Sequence, residues 1–340
     1  MQKEKIQSIE LGRVVAIIAI VAMHGQPFLS YWLSDGTPWF GYIFNQATRF
    51  AVPLFFLISG YLIAPKLDAN PIATLKAYSA PLLRIFVVWS VICLVMPFNL
   101  NVVMEQGYLA DRMGYWQFLL STPLNTLLEG GLVHLWFIPA LVLAAAIAAG
   151  LAHISQSQWL IPLALLLYVY GVLAGSYQGV TDLWSPFFTR NGPFFSTLLF
   201  ALGIVIRRQQ WRVSSAQALT MAALGMLVHF AEAYGLSFYD QPFNTNDFLF
   251  GTALWGTGCF LWLLAKPSLG QGHWLTGLAR YVLPVYVAHL PMMIVMFNIA
   301  GALELEGLMR DASIFVGTLT LTYLLVKAVD GTKLNTWLFR

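Results

Sequence analysis

The chain alternates between long apolar stretches and short polar connections. A helix needs about 20 mainly apolar residues to cross the hydrocarbon core of a bilayer. Ten stretches approach or exceed that length, and they cover residues 10–31, 41–64, 80–98, 132–152, 159–175, 193–206, 216–235, 248–265, 281–299 and 312–328. The pattern predicts an all-α, polytopic membrane helix bundle of about ten transmembrane helices, with residues 1–340 forming one domain.

Most basic residues lie on one side of the alternating connections between these stretches. One set of connections and chain ends holds Lys3, Lys5, Lys66, Lys76, Arg84, Arg207, Arg208, Arg212, Lys266, Arg280, Lys327, Lys333 and Arg340. The other set holds only Arg112, Arg190 and Arg310 as basic residues, together with several acids. Because positively charged loops are retained on the cytoplasmic side, the first set is predicted to face inward. An even number of crossings then places both termini in the cytoplasm.

The composition agrees with a surface that lipid solvates. Hydrophobic residues make up 59% of the chain and charged residues only 10%, whereas soluble domains average about 25% charged residues. The net charge of +3 is spread over short loops and forms no basic stripe, so nucleic acid is not an expected partner. The two cysteines, Cys93 and Cys259, lie in apolar stretches, and neither a disulfide framework nor a metal cluster is expected.

The first stretch carries charged and titratable residues that a membrane helix accommodates only at a cost. Arg13 and His24 are eleven residues apart, which places them within roughly 20° of one helix face and about 16 Å apart along its axis. An intramembrane charge costs at least about 2.5–3.5 kcal/mol, which favours a functional Arg13. The structural alternative is an Arg13 that snorkels to the surface with Glu10, three residues earlier, as its partner.

The second stretch runs back inward and carries Arg49 at roughly the depth of His24. Pro53 is predicted to kink this helix. Ser59 and Gly60 lie deeper, where they are better suited to close helix packing than to nucleophilic chemistry. The structural alternative for Arg49 is a buried pair with an acid from another helix. A functional Arg49 is favoured, because few acids lie at its depth.

Three histidines converge in depth. His134, followed by Trp136, lies near the outer start of the fourth stretch, and His289 lies near the middle of the ninth. A lone histidine in a membrane is more often a hydrogen-bonding group between helices than a catalyst. Alternatively, His24, Arg49 and His134 supply a base, an oxyanion stabiliser and an orienting group. Metal binding is the weaker interpretation, because no His-x-x-x-His or His-x-x-Glu pair lies at this depth.

Four segments, in order along nearly the whole chain, resemble the acyltransferase 3 family of bacterial membrane enzymes. They are Arg13 and His24 at the family's spacing, RFAVPLFFLISGYL from Arg49, HLWFIPALV from His134, and YVAHLP around His289. The second of these is similar to the family's Arg-x-x-Val-Pro-x-Phe-Phe-x-x-Ser-Gly pattern. The chain departs from the family at Glu10, where Asp is common, and at Val14, where Gly usually follows the arginine.

The resemblance implies transfer of an acyl group, usually acetyl from acetyl-CoA, to a hydroxyl of a cell-envelope carbohydrate or lipid-linked glycan. O-antigen or another surface polysaccharide is the expected acceptor. Acetyl-CoA would be a substrate, with no permanently bound cofactor and no metal. The resemblance also implies a multi-pass protein of the bacterial cytoplasmic (inner) membrane.

Roles for individual residues also follow from the resemblance and their chemistry. His24 would act as a general base toward the acceptor hydroxyl or as a transient acyl carrier. Arg13, together with Arg207 and Arg208, would bind the donor. Arg49 would stabilise the oxyanion or position the donor. The residues expected to shape or support the acceptor side are Glu10, Ser59, His134, Trp136 and His289.

A polytopic transporter or flippase for an envelope precursor is the alternative function. Such a protein also places charged groups at depth between helices. It predicts movement of substrate without CoA, with the face that carries Arg13 and His24 serving as a relay or gate. A membrane scaffold explains less, since it gives no reason for two intramembrane arginines. The family resemblance, rather than the spacing of any residues, favours the enzyme.

Overall fold

The computed structural model describes residues 6–340, apart from the side chains of residues 273, 274 and 276. Within that range the chain is 76% helical and has no strand. The helices are α1 (Gln7–His24), α2 (Trp39–Ala47), α3 (Ala51–Ala69), α4 (Pro71–Val95), α5 (Leu100–Gln106), α6 (Tyr108–Ser121), α7 (Pro123–Glu129), α8 (Phe137–His153), α9 (Leu160–Leu173), α10 (Gln178–Thr181), α11 (Pro193–Gln209), α12 (Ser215–Leu236), α13 (Phe250–Ala265), α14 (His273–Ala279), α15 (Val282–Ala302), α16 (Gly307–Val329) and α17 (Leu334–Leu338). Short 3₁₀ helices span Val133–Trp136, Ser157–Trp159 and Phe243–Thr245.

Among residues 6–340, seven helical segments are long and apolar enough to cross a membrane. They are Gln7–His24, Trp39–Ala69, Pro71–Val95, Val133–His153, Ser215–Leu236, Val282–Ala302 and Gly307–Val329. Ser157–Leu173 and Phe250–Ala265 are shorter apolar segments, and the predicted stretch 193–206 lies within α11. The all-helical membrane class is therefore confirmed, while ten crossings and cytoplasmic termini stay predictions. Lys3 and Lys5, which contributed to the orientation, lie outside the described residues.

The second of these segments is interrupted close to Arg49. Helix α2 ends at Ala47 and α3 begins at Ala51, so Arg49 lies in the turn between them. Pro53 explains the break, because it has no N–H to donate to the carbonyl of Arg49, four residues earlier. The predicted kink is thus a short break in the helix, and it places Arg49 at the N-terminal end of α3.

The chain divides into two compact units. The first unit comprises the described part of Met1–Ile20, together with Asn45–Ala80 and Ala140–Val282. The second unit comprises Val21–Phe44, Pro81–Pro139 and Leu283–Arg340. Helices α1, α2, α4, α8 and α15 each contribute residues to both units.

Glycines allow close helix packing in the first unit. A β-carbon added at Gly60 of α3 would collide with the carbonyl of Phe200 in α11, and one added at Gly203 would collide with the carbonyl of Leu57. Small residues at such crossings let two backbones approach in a membrane, where helix association depends on packing rather than on the hydrophobic effect. The expected packing role of the Ser59–Gly60 step therefore agrees with the contacts of Gly60.

Replacing Gly60 by alanine is expected to destabilise the first unit by about 1–3 kcal/mol, because the backbone of Phe200 must shift to admit a methyl group. The thermal unfolding midpoint of the protein in detergent micelles measures this effect. Gly150→Ala in α8 is the matched control, since a β-carbon there meets no atom within 4 Å. An equal midpoint shift in both variants would show that general helix propensity, and not the α3–α11 approach, sets the effect.

In the second unit, a buried arginine ties the segment after α4 to the end of that helix. Arg112 of α6 is fully buried, and its Nη2 donates to the carbonyl oxygens of Cys93 and Leu94 at 3.2 Å each. Its guanidinium carbon lies 3.8 Å from the ring centroid of Phe98. Because the last carbonyls of a helix have no intrahelical partner, the guanidinium satisfies the C-terminal end of α4.

Candidate active site

Three histidines of the second unit lie in contact and form what we call the histidine cluster: His24, His134 and His289. His24 is the last residue of α1, His134 lies in the 3₁₀ helix Val133–Trp136, and His289 lies in α15. The ring centroid of His289 is 5.1 Å from that of His24 and 5.2 Å from that of His134, with edge-to-face geometry in both pairs. The structure thus brings together three residues that are far apart in the sequence.

A proline in α15 provides the attachment point for His134. Pro291 has no N–H, so the carbonyl of Val287, four residues earlier, lacks its usual helical partner. The Nε2 atom of His134 lies 3.0 Å from that carbonyl oxygen. The Tyr286 hydroxyl in turn donates to the carbonyl of His134. The segment 286–291 therefore carries His289 and also supplies the two groups that hold His134.

Two backbone carbonyls fix the proton positions in the histidine cluster. A carbonyl oxygen only accepts, so the His134 ring donates from Nε2 to Val287, and the His289 ring donates from Nδ1 to the Tyr286 carbonyl at 2.6 Å. Each neutral ring then keeps one lone pair, on Nδ1 of His134 and on Nε2 of His289. Both nitrogens are buried and have no hydrogen-bond partner within residues 6–340. The cluster therefore presents two buried proton acceptors, and its third ring, that of His24, is half-buried.

Arg13 lies on the same continuous helix as His24, and it pairs with Glu10. Its Nη1 is 3.0 Å from Oε2 of Glu10, one helical turn earlier. The side chain of Arg13 is 29% exposed and that of Glu10 is 16% exposed. This is the local pair that the sequence suggested, and it satisfies part of the arginine's charge within the first unit.

Arg49 shares a carboxylate with a second arginine of the first unit. Its Nη1 lies 2.9 Å from Oδ1 of Asp247, and Nη1 of Arg190 lies 2.8 Å from Oδ2 of the same residue. The Nη2 of Arg49 also donates to Oδ1 of Asn45 at 3.0 Å. The structural alternative considered for Arg49, an ion pair with an acid, is therefore present. We call Arg49, Asp247 and Arg190 the arginine–aspartate cluster.

The two arginines hold the carboxylate of the arginine–aspartate cluster in its ionised form. Burial raises the pKa of Asp247, but the adjacent Arg190 and Arg49 outweigh that effect and hold the pKa below its usual value. The carboxylate is therefore ionised at neutral pH, and one negative charge serves two guanidinium groups. Such a cluster suits binding of an anion or of a developing negative charge.

A chain of hydrogen bonds leads from Arg49 to a buried histidine. His229 of α12 places Nε2 2.8 Å from Oε1 of Gln46 and Nδ1 2.8 Å from Oγ1 of Thr252. The Gln46 carbonyl only accepts, so His229 donates from Nε2 and receives the Thr252 proton at Nδ1. Gln46 donates more weakly to Asn45, at 3.4 Å, and Asn45 contacts Arg49. His229 thus supports the turn that presents Arg49.

His229→Leu is expected to cost about 1–3 kcal/mol of stability. The substitution removes the donor to Gln46 Oε1 and the acceptor for the Thr252 hydroxyl, and both groups are buried. A lowered thermal midpoint in detergent micelles would report this cost. The control is His153→Leu at the exposed end of α8. Equal midpoints for the two variants would contradict a supporting role for His229.

His229 and Glu232 do not share a ligand site, although they are one helical turn apart. Glu232 accepts from the hydroxyl of Tyr177 at 2.8 Å and from the N–H of Gly251 at 2.8 Å, whereas His229 contacts Gln46 and Thr252. Across residues 6–340, no group of three His, Cys, Asp or Glu side chains is arranged to hold a metal ion.

The remaining predicted site residues occupy several places. Arg207 and Arg208 lie in the last turn of α11, where Arg207 donates to the hydroxyl of Tyr61 at 3.0 Å and Arg208 forms an ion pair with Asp68. Ser59 lies in α3, in the same unit. Trp136 is half-buried in the second unit, in the same 3₁₀ helix as His134.

Sequence reasoning missed the partners of Arg49. These partners lie in or next to connections between helices, and they are Asp247, Arg190 and Asn45. Because connections have no periodic pattern, their contacts cannot be predicted from residue spacing. The one available signal is the rule that a charge at membrane depth needs a partner. Applied to Arg49, that rule points to the acids of the outer connections, among them Asp247.

Comparison with known proteins adds a family and several distant relatives. A family model described as an acyltransferase domain matches residues 6–327. A serine/alanine racemase of Enterococcus gallinarum is 28% identical over 274 residues, which cover 72% of this chain and 35% of the relative. An amino-acid racemase of Enterococcus faecalis is 27% identical over 217 residues, covering 59% and 28% respectively. The chain therefore spans about a third of the length of these curated relatives. No solved structure matches it significantly.

Proposed function

The chain belongs to the acyltransferase 3 family, and from that premise we propose that it is a membrane O-acyltransferase of the bacterial inner membrane. It moves an acetyl group from cytoplasmic acetyl-CoA to a hydroxyl of a cell-envelope carbohydrate, such as O-antigen or another surface polysaccharide. The observation that carries this proposal is the histidine cluster, in which a half-buried His24 contacts His289, whose Nε2 lone pair has no hydrogen-bond partner within residues 6–340.

In the proposed reaction, His24 removes the proton of the acceptor hydroxyl as its oxygen attacks the thioester carbonyl carbon. The carbon–sulfur bond breaks, and CoA leaves as a thiolate that recovers the proton from the imidazolium. In the relay form, the lone-pair nitrogen of His24 attacks the thioester carbonyl, and CoA leaves as a thiolate. The acceptor hydroxyl then attacks the acetyl-imidazolium, the carbon–nitrogen bond breaks to give back neutral His24, and the hydroxyl proton passes to the CoA thiolate. His289 and His134 orient the reacting imidazole in both forms.

Two groups of cations in the first unit are proposed to serve the donor. Arg13 lies about 16 Å along α1 from His24, by helix rise, and would contact the donor near the cytoplasmic end, with Arg207 and Arg208. Arg49 would stabilise negative charge on the thioester oxygen or position the donor. The position of Arg49 supports this assignment, because it and Arg190 meet at one carboxylate and their guanidinium groups are donors suited to an anion.

Doubly labelled acetyl-CoA tests the proposal directly. Native-cell membranes that contain the chain receive acetyl-CoA with one isotope in the acetyl group and another in the adenine, and matched membranes lack the chain. The expected result is acetyl label in the polysaccharide fraction, adenine label left in soluble CoA, and equal amounts of the two products. Acetyl label that does not depend on the chain overturns the proposal. Movement of a labelled envelope precursor across vesicles, without CoA release, would instead favour the transporter.

A further inference from the structure

A cleft in the second unit is lined by Gly25, the residue that follows His24. It has a volume of about 810 Å³ and lies between the connection that follows α1 and the connection that joins α15 to α16. Its walls include Gln26, Tyr31, Phe297, Glu306 and Arg310. The volume falls in the range of about 300–1,000 Å³ that is typical of small-molecule sites.

The cleft begins one residue from the histidine cluster. Gly25, which follows His24 in the chain, is itself part of the wall, and consecutive Cα atoms are about 3.8 Å apart. The connection then turns sharply, since Gln26 and Phe28 have φ values of 46° and 66°. Residues other than glycine adopt this left-handed region only where surrounding contacts hold them there.

A single buried carboxylate supplies those contacts and joins the two walls. Asp311 of α16 has a side chain only 5% exposed. Its Oδ2 accepts from the N–H of Phe28 at 2.8 Å and from the hydroxyl of Tyr31 at 2.9 Å, and its Oδ1 accepts from Nη1 of Arg310 at 3.1 Å. A buried charge is tolerated when it is paired and hydrogen-bonded in this way. Asp311 therefore fixes one cleft residue from each wall.

The groups that face the cleft suit a neutral ligand rich in hydroxyls. Burial and the hydrogen bond to Asp311 raise the pKa of Tyr31 to about 12. The hydroxyl therefore keeps its proton, which it donates to Asp311, and its oxygen can accept a hydrogen bond from a ligand. Gln26 both donates and accepts, Arg310 donates and Glu306 accepts. Arg310 is paired with Asp311, and Glu306 adds a second carboxylate, so the cleft has no excess positive charge with which to hold an anionic ligand. Phe297 adds an apolar face, and the guanidinium carbon of Arg310 lies 5.5 Å from its ring centroid.

We propose that this cleft is the acceptor site and that it binds an uncharged sugar residue of the glycan, with Tyr31, Glu306 and Arg310 contacting its hydroxyls. The assignment rests on the proposed function, because it takes His24 as the base that removes the proton from the acceptor hydroxyl. Asp311 is a positioning residue, since it acts through Tyr31 and Arg310.

Steady-state kinetics of the purified protein in nanodiscs test the cleft, with polysaccharide extracted from the native cells as the probe. Arg310→Gln and Glu306→Gln are each expected to raise the KM for polysaccharide about tenfold or more, since each leaves a ligand hydroxyl without its partner. The KM for acetyl-CoA is expected to stay unchanged. Glu304→Gln is the matched control, because Glu304 is an exposed acid two residues from Glu306 and outside the cleft.

Protection from labelling gives a second readout that does not depend on turnover. Ser30 lines the cleft and is exposed, so Ser30→Cys is expected to react with a membrane-impermeant maleimide, and polysaccharide is expected to slow that reaction. Unchanged polysaccharide KM in both charge variants, or labelling that polysaccharide does not slow, would overturn the cleft as the acceptor site. An active native protein with either result leaves the acyltransferase proposal intact, whereas protection without acetyl transfer would overturn the acyltransferase alone.

Discussion

His24→Ala is expected to lower the turnover of acetyl transfer about 10²–10⁴-fold, the range that a positioned general acid–base group contributes. The variant removes the half-buried ring of the histidine cluster and leaves His134 and His289 attached to their backbone carbonyls. The fold is therefore expected to persist. Turnover with saturating acetyl-CoA and polysaccharide, together with the thermal midpoint, separates lost chemistry from lost structure.

His153→Ala is the matched control for this prediction. His153 ends α8 and is exposed, so the variant deletes an imidazole without touching the cluster and is expected to keep native turnover. Added imidazole is expected to restore part of the activity of His24→Ala, because the small base fills the space that the side chain left. Native turnover in His24→Ala would exclude His24 from the chemistry. An equal loss in both histidine variants would contradict a specific role.

The sequence predicted the helices well, since hydrophobic periodicity and length are local properties. Each of the ten predicted stretches overlaps a helical segment, although the first, 10–31, was predicted too long because α1 ends at His24. Pro53 correctly marked a break. The number of crossings is harder to predict, because three of these segments, including 193–206 within α11, are shorter than a typical span. Whether they cross depends on their tilt and neighbours, which periodicity does not contain.

The candidate site was predictable in part, for reasons visible in particular residues. Depth along helices suggested that His24, His134 and His289 lie near one another, and the ring contacts bring them together. The link from Val287 to His134 also had a readable cause, a carbonyl freed by Pro291. In contrast, Asp247 lies in an irregular connection, so its contact with Arg49 depends on how that connection folds and not on spacing.

Asp247→Asn is expected to destabilise the first unit by about 1–3 kcal/mol. Removing one partner of a fully buried ion pair costs about 3–5 kcal/mol, and solvent screening reduces that figure here, because the Asp247 side chain is 32% exposed. The substitution leaves Arg49 and Arg190 close together without the carboxylate that they share. We expect a lower thermal midpoint and a higher KM for acetyl-CoA, because the two guanidinium groups repel each other and lose their fixed positions.

The double variant Arg190→Gln/Asp247→Asn distinguishes charge repulsion from loss of a single hydrogen bond. It removes one positive and one negative charge, so Arg49 remains as the only charge of the cluster, and stability is expected to recover relative to Asp247→Asn alone. A double-mutant cycle measures this coupling. Purely additive losses would show that the two arginines do not compete for Asp247.

The pH dependence of the same cluster has a definite sign. Burial raises the pKa of Asp247 and the two arginines lower it further than burial raises it, so the folded value lies below the ordinary one. The stabilisation is therefore complete above the unfolded pKa of about 3.9 and is lost as the pH falls through the folded value. The difference in midpoint between native protein and Asp247→Asn is expected to be constant from pH 5 to pH 8. A difference that shrinks across that range would mean that Asp247 is not held ionised by Arg49 and Arg190.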